Sequence, residues 1–146
     1  MTEMLTQAEL IKRILLAATI GGLLGAEREL RRKPAGFRTN ILIGLGCAVF
    51  TMVSMTLSSA SPDRIASNIV TGVGFLGAGA IMREQSGGVH GITTAATVWV
   101  NAALGTAAGA GNYKLALIGG AITFAVLAIL GPIEAAIEHK VGAKHD

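Results

Sequence analysis

Five long apolar stretches, separated only by short polar breaks, constrain this chain more than any other feature. They cover about 9–26, 37–57, 65–82, 91–110 and 113–133. A helix needs roughly 20 residues to cross about 30 Å of hydrocarbon. The runs are too long, and too free of alternation, to be strands of a membrane barrel, and lipid cannot satisfy an open sheet edge. The intervening segments 27–36, 58–64, 83–90 and 111–112 have lengths typical of connections between antiparallel neighbours. The sequence therefore predicts an all-α, polytopic membrane helical bundle of about five transmembrane helices with short loops, forming a single domain over 1–146.

Composition agrees. Only 14% of residues are charged, against about 25% in an ordinary soluble domain. Hydrophobic residues make up 51%, and the mean hydropathy is +0.59. The 20 glycines lie inside apolar runs, where close helix packing uses them, and the 3 prolines are too few for a disordered linker. Residues 1–9 carry Glu3 and Glu9 and no cationic start, unlike a cleaved signal peptide. The first span reaches full length only if Glu9, Lys12 and Arg13 belong to it, with both cations snorkelling outward. Pro132 is expected to end the fifth. Cys47, the single cysteine, is read as a small packing residue.

The net charge of +3 does not point to nucleic acid, because the cations gather in one loop as topology signals do. Five spans place eight Lys and Arg residues on one side (Arg28, Arg31, Arg32, Lys33, Arg38, Arg83, Lys140, Lys144) and four on the other (Lys12, Arg13, Arg64, Lys114). The richer side is cytoplasmic by the positive-inside rule, giving an external N-terminus and a cytoplasmic C-terminus.

That topology brings three polar stretches to the cytoplasmic end. The first contains Glu27, Arg28, Glu29, Arg38 and Thr39. Its loop either only fixes topology or pairs Glu27 or Glu29 with Arg28, Arg38 or Arg83 at the membrane boundary. The second is the run with Gly72, Gly74, Gly77 and Gly79. Its spacing matches a dinucleotide fingerprint, but the strand that motif requires is missing. Its glycines either let backbones approach or break the helix to expose carbonyls. Gly21 with Gly25, and Gly105 with Gly109, give further small-residue faces. The third contains Thr93 and Thr94, which would cap the fourth span or leave its N-terminus to an anion. Asn68, Thr71 and Asn101 lie within spans, where they hydrogen-bond to a neighbouring helix or line a polar pocket. No triad or metal-ligand spacing appears, so no catalytic residue, metal or cofactor is expected.

The order of G-x-ER at 25–28, AGFRT at 35–39, GFLGAG at 74–79 and GITTAA at 91–96 followed by Trp99 resembles the MgtC/SapB family of bacterial inner-membrane proteins. The resemblance implies about five membrane helices with a cytoplasmic C-terminus. It also implies a link to low-magnesium adaptation and virulence, and action by restraining the F-type ATP synthase. Longer relatives carry a soluble C-terminal domain, so the chain resembles a short SapB-type member or a truncated form. The leading expectation is a regulatory protein, not an enzyme, that touches another membrane complex. The alternative is a transporter or channel for an ion such as Mg2+ or a small solute. A third reading is a homo-oligomer paired through glycine faces.

Overall fold

The computed structural model describes residues 6–57, 63–83 and 88–133. Five helices account for nearly all of it: α1 (Gln7–Leu30), α2 (Phe37–Leu57), α3 (Asp63–Ala80), α4 (Ile92–Gly109) and α5 (Tyr113–Ala125). The last runs directly into a π-helical turn, Val126–Leu130, and stays helical to Ile133. Pro132 therefore does not end the fifth segment among the described residues. Two residue pairs outside the helices, Met82–Arg83 and Val89–His90, form a short antiparallel ladder that the apolar pattern does not foretell.

Local chemistry fixes the ends. Thr6 caps α1 by accepting the Glu9 N–H at 3.3 Å, and the Thr-x-x-Glu spacing is that of a capping box. Both α1 and α4 close with the paired backbone bonds of a Schellman motif. Lys33 N–H donates to Arg28 O and Arg32 N–H to Glu29 O; Asn112 N–H donates to Ala107 O and Gly111 N–H to Ala108 O. Gly111 supplies the left-handed residue in the second case, whereas Arg32 must adopt it in the first (φ 54°). Asn112 then caps α5 by accepting the Leu115 N–H. The cap expected from Thr93 or Thr94 is replaced by Gly91, whose φ of 91° turns the chain into α4 without a side-chain bond.

Small residues set the packing. On α1, Ala17, Gly21 and Gly25 recur every fourth residue and press against α2 running the opposite way. A Cβ at Gly21 would come within 2.5 Å of Asn40 O, and one at Gly25 within 2.8 Å of the Phe37 backbone. A second seam joins α2 and α4, which run parallel. Asn40, Gly44 and Ala48 meet Asn101, Gly105 and Gly109 in order; a Cβ at Gly105 would lie 2.5 Å from Gly44 O, and one at Gly109 2.5 Å from Ala48 O. Such close approach is what small-xxx-small faces permit. Contacts of Glu9 with Tyr113, Ile20 with Gly120 and Arg31 with Ala128 show α5 parallel to α1. The third helix packs mainly on α4 and lightly on α2.

Gly77 meets Ala95 at 3.7 Å, but a Cβ at Gly72, Gly74 or Gly79 would find nothing within 4 Å. Those three glycines thus pack against no other part of the described chain, and α3 runs unbroken through them. Two helical stretches, Phe37–Thr56 and Tyr113–Ile133, are long and apolar enough to cross a membrane.

Candidate functional site

Polar side chains occupy three places: one at each end of the bundle and one between α2 and α4. At the end formed by the start of α1 and the finish of α4, Arg13 is buried at 7% exposure. Its Nε pairs with Glu9 at 3.2 Å, and its Nη1 donates to Gly109 O at 2.7 Å. Tyr113 donates its hydroxyl to the same Glu9 carboxylate. Arg13 does not snorkel outward as the sequence suggests. It turns inward because α4 presents a free carbonyl where its helix ends; Lys12 does remain exposed.

The second place lies at the opposite end, where α1 finishes. Glu27 is buried and takes Arg28 Nε on Oε2 at 2.6 Å, while Arg31 is ion-paired with Oε1. Oε1 has no well-directed hydrogen bond, so the Arg31 contact is chiefly Coulombic. Arg31 also donates from Nη2 to Ala128 O at 3.1 Å, within the π-helical turn. A π turn displaces carbonyls from the regular ladder, and here one of them meets a cation from α1. Pairing of Glu27 with Arg28 follows the sequence reading; Arg38 instead is exposed, and Glu29 accepts the Phe37 N–H at 3.1 Å. The Arg83 side chain and residues 134–146, with Lys140 and Lys144, fall outside the described residues.

Between the ends, Asn40 and Asn101 are both fully buried. Asn101 Nδ2 donates to Asn40 O at 2.7 Å, with Asn40 Oδ1 at 3.2 Å. Asn40 Nδ2 in turn donates to Ala35 O and, at 3.0 Å, to Gly36 O. One side chain on α4 therefore holds the first turn of α2, which holds the basic loop. Asn101→Ala is expected to cost about 1–2 kcal/mol, since interhelical polar bonds reach about 1.7 in membranes and a small void is added. A denaturation midpoint in detergent checks this.

The polar pocket expected from Asn68, Thr71 and Asn101 does not assemble. Asn101 is sealed between helices, whereas Asn68 and Thr71 are exposed on α3. Thr71 bonds back to Ser67 O at 3.2 Å, a usual fate of threonine in helices. Thr94 is buried, Thr93 and Thr39 are exposed, and Thr93 O accepts the Thr97 hydroxyl. Cys47 is buried at 5% exposure, so it presents no thiol at an outer surface for crosslinking. Asn40, Gly44, Arg13 and Arg31 are the contributors that sequence reasoning passed over. A shared spacing, Asn-x3-Gly-x3-small at 40–48 and again at 101–109, could have exposed the first two.

A five-helix bundle closed by small-residue seams, with ion pairs at its two ends, defines the structural class. The chain belongs to the MgtC family, whose model matches residues 14–136. It is 50% identical over 117 residues to a protein of Salmonella typhimurium named "Protein MgtC", covering 80% of this chain and 50% of that one. It is 46% identical over 132 residues to "Putative magnesium transporter YhiD" of Escherichia coli K12, covering 84% and 60%. It is 44% identical over 123 residues to "Protein MgtC" of Brucella abortus, covering 84% and 51%. The chain thus spans about half the length of the relatives it matches. No solved structure matches it.

Proposed function

We propose that this chain is a five-span protein of the bacterial inner membrane with a non-enzymatic, regulatory role, exerted by contact with another membrane complex such as the F-type ATP synthase. Its N-terminus lies outside and its C-terminus in the cytoplasm. The single observation that carries the membrane part is an inside-out distribution of side chains. Arg13, Glu27, Arg28, Asn40 and Asn101 are buried, while Leu15, Leu23, Leu42, Phe50, Phe75, Leu117, Ile122 and Ile129 are exposed. Water as solvent favours the reverse, and large contiguous apolar surfaces are rare on soluble monomers. The family's link to magnesium adaptation and virulence comes with the reading.

Support for contact rather than transport comes from α3. Its outer glycines, Gly72, Gly74 and Gly79, leave a small-residue surface unpartnered within the chain, and helices associate in lipid through such surfaces. The alternative, a Mg2+ carrier, draws on the name given to the Escherichia coli relative. It calls for polar groups lining a path, yet Asn101 is spent on Asn40. Two assays on one preparation decide. The expected result is co-purification of the ATP synthase from mild detergent and no Mg2+ flux into liposomes carrying the chain alone. A chain that retrieves no membrane partner and moves Mg2+ contradicts the proposal.

A further inference from the structure

A cleft of about 960 Å³ runs between α2 and α3 and is almost wholly apolar. Thr39 and Ala80 border one end and Phe50 and Asn68 the other, with Gly46 and Gly72 on facing walls. The two glycines face open space, which keeps the cleft wide. From Thr39 to Phe50 the wall is roughly 16 Å long at the helical rise, so the mean cross-section is about 60 Å². A helix with its side chains is about 10–12 Å across and would not seat in that width. Thin, flexible hydrocarbon chains would.

Charge identifies the head of the occupant. The Thr39 end adjoins the basic loop. Arg32, Lys33 and Arg38 are all exposed there, and Pro34, Ala35 and Thr39, one residue away along the chain, line the cleft itself. Glu29 is the acid on the same loop, leaving cations in excess. From the apolar cleft and its cationic rim, we infer that the α2–α3 cleft holds an anionic phospholipid, with its acyl chains between the helices and its phosphate against Lys33 and Arg38. The site rests on the membrane-spanning reading above, because it places the Thr39 end at a headgroup layer.

Leu at position 72 fills the cleft without meeting backbone, and Leu at 74, which also faces open space but does not line the cleft, is the matched control. The full chain is reconstituted in nanodiscs of equal phosphatidylglycerol and phosphatidylethanolamine, extracted in mild detergent and weighed by native mass spectrometry. The wild type and G74L are expected to retain about one phosphatidylglycerol per chain, and G72L none while remaining monodisperse. K33Q/R38Q is expected to lose headgroup preference by about fivefold for each cation removed. Equal retention by G72L and wild type, or wild-type retention without headgroup preference, overturns the site. A second copy of the chain in place of lipid overturns it too. Alkaline carbonate washing of the source membranes separates the two readings: a chain that stays in the membrane yet retains no lipid overturns this inference alone, and a chain that washes off overturns both.

Discussion

Replacing Glu27 with alanine is expected to destabilise the bundle by about 3–5 kcal/mol, because it leaves a buried cation without its partner. Arg28 is only 3% exposed, and Glu27 Oε2 is the acceptor at 2.6 Å from its Nε. Arg31 suffers less, since it is one-third exposed and still reaches Ala128 O. The substitution thus separates two cations that share one carboxylate. Glu27→Gln keeps an oxygen in place for Arg28 and should lose less than half as much. The double replacement Glu27→Leu with Arg28→Leu, which removes both charges, should recover most of the loss, as apolar substitution of whole buried pairs often does. Size-exclusion profiles after heating in detergent read all three, with Glu27→Ala shifted down by roughly 10 °C or more.

The second large effect is expected at Gly109. An alanine Cβ there would lie 2.5, 2.7 and 3.0 Å from three backbone atoms of Ala48, none of which can rotate away. The helices α2 and α4 must separate, and overpacking of this kind costs about 1–3 kcal/mol, here toward the upper limit. Moving α4 also disturbs the bond from Arg13 to Gly109 O, so the end cluster loosens with the seam. Gly72→Ala provides the opposite sign. Its Cβ meets nothing, and alanine favours a helix over glycine by about 0.8–1 kcal/mol. The pair of measurements separates glycines that the bundle itself needs from those it leaves free.

Much of this was legible in the sequence, for identifiable reasons. Apolar runs located all five helices because each must cover a long side with hydrocarbon side chains. The faces of Gly21 with Gly25 and Gly105 with Gly109 were legible because a four-residue spacing has a direct geometric meaning on a helix. Gly72 and Gly74 carry the same signature yet touch nothing within the chain. A motif records that a face is small, and only the fold records what meets it. The polar residues were harder. Asn101 was assigned to a shared pocket with Asn68 and Thr71, but its partner, Asn40, lies 61 residues away across the parallel seam. Arg13 read as a boundary cation because its acceptor is a helix-end carbonyl on α4, which no local pattern announces. The π turn beside Arg31 likewise depends on a tertiary contact.

The central claim, a bundle that crosses the membrane five times with its N-terminus outside, is tested most directly by cysteine accessibility. In a Cys47→Ser background, Lys33→Cys marks the α1–α2 loop and Asn112→Cys marks the α4–α5 turn. The fold places these at opposite ends of the bundle. An impermeant maleimide applied to intact spheroplasts should label position 112 at once and position 33 only after permeabilisation. Labelling of both positions from the same side contradicts the five-span account, and labelling of 33 alone from outside reverses its orientation.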